Sequence, residues 1–389
     1  MKIHSYFLLL IILLYSCSVE ESTKPTQSDI LSPVITPDIS NQQVNAFAED
    51  AQGHIWIGTF RGLNKYNAHE YHQYFCTDDS LSLPDNQVQA LLKDKKGKLW
   101  VSTINGLCMY TDEDTFKRIP FYSCSNRSGK QLLENKYGDI FLSNINELFK
   151  YNPQKNIMEK VLDNMDPNNY FMTKCFIDSS DNLWVASPTI LKCYNLSDMS
   201  LKDSITLENM PRYYTLLDND ELWLTGTQTI QIYNTNTHRF KDVPAAIKNN
   251  SLLSKSEITY IYPYNNTLLL NTTKDGMFCY NPTSQTLIHQ DEDGFPFKVP
   301  RFTISQMFTD SQKNLWIGST DQGYSVIYNY KERFNNNNFL QSFLQNKSVI
   351  SISAGTDNSL WISKSQDGVY KYELGNKKIE KIDVSHIFS

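Results

Sequence analysis

Much of what announces a protein's chemistry is missing from these 389 residues. There is no basic run or basic face, and the formal charge is −6. That argues against contact with nucleic acid, since clustered Lys and Arg supply most of the affinity for phosphates. No nucleophile elbow, phosphate-binding loop, H-E-x-x-H or dinucleotide fingerprint occurs, so no catalytic residue, metal ligand or cofactor is assigned. No two cysteines stand at C-x-x-C spacing, which weakens zinc and thioredoxin-like readings. The close histidine pair, His69 and His72, is separated by three, which puts the two on opposite faces of a strand. They are expected to be solvated rather than to share a metal. The 3.6-residue periodicity of helical repeats is absent as well.

The apolar run from Tyr6 to Tyr15, after Lys2 and His4, is too short to span a bilayer and has the length of a signal-peptide core. Leu14-Tyr15-Ser16-Cys17 resembles a bacterial lipobox, in which Cys17 would become the lipidated first residue of the mature protein. Tyr15 departs from the small or β-branched residue usual there, and ordinary signal cleavage nearby is the alternative. Export is expected either way. Residues 1–17 are therefore read as a signal peptide, and 18–30, polar with Pro25, as a flexible tether.

Apolar residues make up 40% and aromatics 13% of the chain, enough for a large core, and 20% charged residues is too few for a disordered polyelectrolyte. The dominant feature is a phrase that recurs. Asp50-Ala51-Gln52-Gly53-His54-Ile55-Trp56-Ile57-Gly58-Thr59 returns 44 residues later as Asp94-Lys95-Lys96-Gly97-Lys98-Leu99-Trp100-Val101-Ser102-Thr103. The anchor position then falls at Phe141, Trp184, Trp223, Leu270, Trp316 and Trp361, eight repeats of about 44 residues. Each repeat is one supersecondary unit that cannot bury its apolar face alone.

Within a repeat, an alternating stretch such as Val44 to Ala48 predicts a first strand. Asp50, Asp94, Asp178 and Asp310, each six residues before its Trp, predict a tight turn held by a carboxylate that accepts backbone N–H groups. The second strand carries the Trp and ends in small residues, as in Gly58-Thr59 and Gly318-Ser319, which implies close backbone approach near a central axis. A third strand ends at Tyr66, Tyr110, Tyr151, Tyr194, Tyr233, Tyr280, Tyr328 and Tyr372. A short fourth strand follows, at Tyr71 to Phe75, Phe116 to Ile119 and Lys378 to Ile382. Four antiparallel strands in about 44 residues match one blade of a β-propeller. The recurring Trp56, Trp100, Trp184, Trp223, Trp316 and Trp361 are then structural, packing between blades. Blades three and six, with Phe141 and Leu270 there, should be less regular. Cys108, Cys193 and Cys279 sit near the repeat's tyrosine and read, with Cys76, Cys124 and Cys175, as small core residues rather than cross-links.

At Trp56-Ile57-Gly58-Thr59 and Gly62-Leu63-Asn64-Lys65-Tyr66 the pattern resembles the two-component regulator propeller repeat, W-[IV]-G-T-x-x-G-L-x-x-Y. That repeat occurs in periplasmic sensors of hybrid two-component systems of Bacteroidetes. The likeness runs from about Leu31 to the end, close in repeats one, two and seven. It is looser in three to six, where Gly-Leu becomes Glu147-Leu148, Ile190-Leu191, Thr229-Ile230 and Gly276-Met277. The resemblance implies a first ring of seven blades over 31–335, its seventh blade completed by a strand around Val34 to Thr36. Residues 336–389 would then hold an eighth repeat and the start of a ninth, opening a truncated second ring. The run Asn335 to Asn338 marks the boundary, and a single eight-bladed ring is the alternative.

The resemblance further implies a periplasmic or envelope-facing, non-enzymatic sensor that binds a glycan or oligosaccharide and controls glycan-utilisation genes. The kinase output is absent from this chain. Such a sensor would be a homodimer at full length, held at the membrane by a lipid anchor or a missing C-terminal helix. A propeller lyase or glycosidase, or a surface lipoprotein scaffold, are the alternatives. Ligand contacts are expected in the variable loops after the Trp strand: Phe60, Arg61, Asn105, Lys274, Asp275, Asp321, Gln322 and Asp367.

Overall fold

The structure is a computed structural model that describes residues 34–36, 39–122, 129–165, 173–208, 210–227, 229–329, 349–355, 357–365, 367–373 and 378–383. The leader, Cys17, the tether, Cys124 and the run Asn335 to Asn338 lie outside the described residues. The chain divides into two compact units, the first ending at Tyr328 and the second comprising Asn329–Ser389.

The first unit holds seven sheets, each built as successive antiparallel strands. In the first blade these are Val44–Glu49, Ile55–Thr59, Gly62–Tyr66 and Tyr71–Tyr74, so the fourth strand stops one residue short of Phe75. The seventh blade takes Ile304–Thr309, Leu315–Ser319 and Tyr324–Ile327 from one end of the unit, and its outer strand, Val34–Thr36, from the other. Tyr328 lies just beyond that third strand rather than in it.

The turn between first and second strands explains why aspartate recurs. Asp50 Oδ1 accepts the backbone N–H groups of Gln52 and His54 at 3.0 and 2.9 Å. Its other oxygen accepts the Trp56 indole N–H at 2.9 Å. Asp94–Trp100, Asp178–Trp184 and Asp310–Trp316 repeat that bond at 2.9, 2.8 and 2.9 Å. The carboxylate thus closes the hairpin and fixes the ring of a core side chain at once. Gly53, at φ +85°, supplies the left-handed residue that the turn needs.

In four blades the Trp ring meets the next blade's tyrosine. Ring centroids are 4.5 Å apart for Trp56–Tyr110, 4.9 Å for Trp100–Tyr151 and 5.4 Å for Trp184–Tyr233. Trp316 of the seventh blade meets Tyr66 of the first at 6.0 Å, so seven sheets close on themselves. Side chains near the axis join neighbouring blades all the way round. Ser305 Oγ donates to Val44 O at 2.6 Å, Asn45 Nδ2 to Val88 O at 2.8 Å, and Ser102 Oγ to Gly129 O at 3.0 Å. Cys175 N donates to Gln131 Oε1, Lys174 Nζ to Tyr214 O, Thr225 Oγ1 to Ile258 O, and Tyr260 OH to Gln306 Oε1.

The small residues that end the Trp strand do admit close approach, and what approaches is the first strand of the next blade. A Cβ on Gly58 would lie 2.5 Å from Val88 Cγ1, and one on Gly318 would lie 2.9 Å from Val44 Cγ1. Blade three departs from the common pattern as expected, whereas blade six keeps the bulged first strand of blades one, two and seven. The first strands of blades one, two, six and seven bulge at Asn45, Gln89, Thr259 and Ser305, whereas those of three, four and five do not. The third sheet also gains a fifth strand, Phe121–Tyr122, parallel to Ile157–Leu162. The turn after the fifth blade contains a short helix, Ala245–Lys248. Cys108, Cys175, Cys193 and Cys279 are buried, and burial raises the thiol pKa of each.

The second unit is one four-stranded sheet, Val349–Ala354, Ser359–Lys364, Gly368–Glu373 and Lys378–Ile382. Its Trp361 is 36% exposed, against 0% for Trp56, and every residue of its first strand faces solvent.

Candidate functional site

First strands neighbour one another around the ring axis, and their free edges face the channel. Beside that channel lies a cavity of ≈ 1070 Å³, slightly above the roughly 300–1,000 Å³ typical of ligand pockets. Its wall comes from the first strands of blades four to seven, through Lys174, Tyr213, Tyr260 and Gln306. Its cover is the connection between blades six and seven, anchored by the buried Phe295 and Phe297, with Phe302 partly buried beside them. The turn Asn271 to Gly276 completes it.

The lining can both stack and hydrogen-bond. Tyr260 OH donates to Gln306 Oε1 at 3.0 Å and accepts the Met307 N–H at 3.4 Å. Burial raises the Tyr260 phenol above its ordinary value, so the group stays protonated. Lys174 is half-buried, its ammonium donating to Tyr214 O at 3.1 Å and lying 5.6 Å from the Phe176 ring centroid. Burial lowers that ammonium from 10.5 to about 8. A smaller space of ≈ 240 Å³ shares Lys174, Tyr213 and Tyr260 and adds Lys130 and Arg212.

Of the residues expected to meet a ligand, Lys274 lines this cavity. The others are not gathered with it. Phe60, Arg61, Asn105, Asp321 and Gln322 stand exposed at separate turn tips. Those turns are closed by the Thr or Ser that ends the Trp strand: Thr59 Oγ1 donates to Gly62 O at 2.8 Å and accepts Arg61 N–H at 3.2 Å. Asp275 turns inward, accepting the Ser256 hydroxyl, while its carbonyl oxygen lies 2.8 Å from His289 Nε2. Asp367 belongs to the second unit, where it accepts Tyr370 OH at 2.9 Å and lies 3.3 Å from Lys381 Nζ. Lys174, Tyr213, Tyr260, Gln306 and Arg301 were not foreseen from the sequence. The signal that was present is a cation, Lys174, opening an innermost strand otherwise apolar through Cys175, Phe176 and Ile177.

A second polar group sits at the outer edge of blades one and two. Tyr74 OH and Tyr110 OH both donate to Asp114 Oδ1, at 2.6 and 2.5 Å, and His72 Nε2 lies 3.9 Å from Oδ2. Burial would raise the Asp114 carboxyl, but the two phenols outweigh it and hold the group below its ordinary 3.8. A carboxylate so saturated is a clasp between blades rather than an acid–base pair. His69 and His72 are both exposed, as expected. Among the described residues, no group of three or more His, Cys, Asp or Glu is placed to hold a metal ion, and no helix is long and apolar enough to cross a membrane.

Blades closed by inter-blade tryptophans around a common axis define a β-propeller. More particularly, residues 38–61 and 82–105 match the two component regulator propeller family. The chain also resembles the extracellular domain assigned to the hybrid two component system BT3049 from B. thetaiotaomicron. Identity is 19% and the TM-score 0.61, over 89% of this chain and 48% of that one. The extracellular domain assigned to the one component system BT4673 from the same organism gives 17% and 0.56, over 91% and 47%. This chain therefore spans about half the length of both. A streptogramin B lyase shares the fold at 13% identity and TM-score 0.56, over 76% of this chain and 96% of that one. No curated protein matches in sequence.

Proposed function

We propose that this chain is the ligand-binding part of an extracytoplasmic sensor in a hybrid two-component system. It takes a glycan or oligosaccharide at the channel mouth and controls transcription of glycan-utilisation genes. The observation that carries the reading is the regulator propeller repeat at 38–61 and 82–105, on a fold shared over 89% of the chain with such an extracellular domain. The cavity supports the ligand class: Tyr213 and Phe302 offer ring faces, and Asn271 and Gln306 offer amide groups suited to sugar hydroxyls. In this reading the N-terminal segment exports the protein, Cys17 or a C-terminal helix holds it at the membrane, and the complete sensor works as a homodimer. The exposed first strand of the eighth sheet opens a second ring.

Titration calorimetry against a panel of oligosaccharides tests this. Saturable binding without turnover is expected. The lyase fold likeness keeps one rival open, and product accumulating on prolonged incubation with a bound sugar would establish it instead.

A further inference from the structure

We propose that the channel mouth selects an anionic ligand, an oligosaccharide bearing carboxylate or sulfate groups, which it holds between the half-buried Lys174 and the exposed cations Lys274, Lys298 and Arg301. This rests on the mouth being the sensor's ligand site and adds the ligand's charge class.

The first support is an imbalance. Four basic side chains line the cavity, against the two carboxylates of Asp291 and Glu292, in a chain whose overall charge is −6. Asp291 is already 3.6 Å from His289 Nδ1 and is 79% exposed at its side chain. The ion pairs found within 4.0 Å among the described residues include none for Lys174, Lys274, Lys298 or Arg301. Elsewhere on the ring cations do find carboxylates: Lys150 meets Asp139 at 2.8 Å and Lys160 meets both Glu147 and Asp163.

The second support is Lys174 itself. An ammonium carries three donors, and one carbonyl, that of Tyr214, receives this one. A structural lysine in an innermost strand would be expected to bring a carboxylate with it, since a half-buried unpaired charge is costly. Here the unfilled donors belong to a residue that lines both the large cavity and its smaller neighbour, where Lys130 and Arg212 stand. Cations lining one concave surface reinforce one another's field and draw anions in. Tyr213, Tyr260 and Phe302 remain as the apolar faces that a bare inorganic anion would not use.

The test uses the whole chain and calorimetry with oligogalacturonate, alginate oligosaccharides and chondroitin sulfate oligosaccharides. Each is paired with its carboxyl-reduced counterpart, and neutral mannan and glucan oligomers are added. At least one acidic probe should bind, with affinity falling as salt is raised. Carboxyl reduction, Lys174→Met, or Lys298→Gln with Arg301→Gln should each weaken it at least about tenfold, with neither variant melting below the parent. Retained affinity after carboxyl reduction of chondroitin sulfate alone would assign the recognition to sulfate. Binding confined to neutral sugars, or unaffected by Lys174→Met, overturns the anionic assignment and leaves the sensor reading intact. Failure of every carbohydrate to bind removes both.

Discussion

Trp223 has a buried indole N–H with no acceptor, and the residue six positions before it is Leu217. In blades one, two, four and seven that position is aspartate, and the indole is satisfied. The backbone turn is the same: Leu217 N–H donates to Glu221 O and Asp220 N–H to Leu217 O, as Asp50 and Gly53 do in the first blade. One side chain thus separates a satisfied tryptophan from an orphaned one.

Two ring substitutions should therefore differ. Trp184→Phe removes a hydrogen bond to a carboxylate, worth about 1.5–3 kcal/mol, as well as ring area. Trp223→Phe loses only area and discards an unpaired donor. Urea unfolding should place Trp223→Phe at least about 1 kcal/mol above Trp184→Phe in stability. Equal losses would mean that the indole–aspartate bond contributes nothing.

Acid should act through the same turn. Burial opposes ionisation of the Asp50 carboxyl, but hydrogen bonds from Trp56 and His54 outweigh it and hold the group below 3.8. A depressed carboxyl stabilises the fold above its unfolded value and loses that contribution as pH falls through the folded one. Stability of the native chain should drop below about pH 4, and Asp50→Asn should show a shallower drop. Parallel acid titrations followed by tryptophan fluorescence would decide it.

Lys174 makes the opposite case. Its ammonium is lowered to about 8, so between pH 8 and 10.5 the unfolded chain binds more protons than the folded one. Stability from this group rises with pH across that window and is lowest below it. Lys174→Met should be more stable than the parent at pH 7, by about 1–3 kcal/mol, with the gap closing by pH 10.5. Paired denaturant melts isolate this difference, because all other groups are common to both proteins. A gap that stays constant with pH would show that the lysine's charge is not what costs stability.

At the closest approach between blades, Gly58→Ala should cost about 1–3 kcal/mol, because its Cβ would fall 2.5 Å from Val88 Cγ1. Adding Val88→Ala should recover part of that loss despite removing a core methyl pair. A double-mutant cycle with no coupling would place the strain elsewhere.

The ring was legible in the sequence for a definite reason. A period of about 44 residues with Trp and Tyr at fixed offsets leaves few architectures, and the closing strand at Val34–Thr36 pairs with Tyr324, Ser325 and Val326 as the resemblance implied. What repeats can be read once and applied to every blade. The indole–aspartate bond was missed although its spacing of six residues appears four times, because the turn alone accounted for the carboxylate. The parallel pair at Phe121 and Tyr122 had no periodic trace to follow. The cavity was missed for the converse reason. Lys174, Arg301 and Phe302 occur in single copies on different blades and connections, and only the curvature of the ring sets them side by side.

Asn135 and Phe141 in the third blade give the aspartate–tryptophan pair a further meaning. There both members differ from the consensus, yet the turn survives: Asn135 Oδ1 accepts the Tyr137 and Asp139 N–H groups at 3.0 and 2.9 Å. The two positions therefore have a preferred order of change. If the ring changes first, the acid keeps its backbone partners; if the acid changes first, an indole donor is stranded in the core, the condition of Trp223. Among descendants of such a repeat, blades with phenylalanine beside a retained aspartate should outnumber blades that, like the fifth, kept the tryptophan and lost its acceptor.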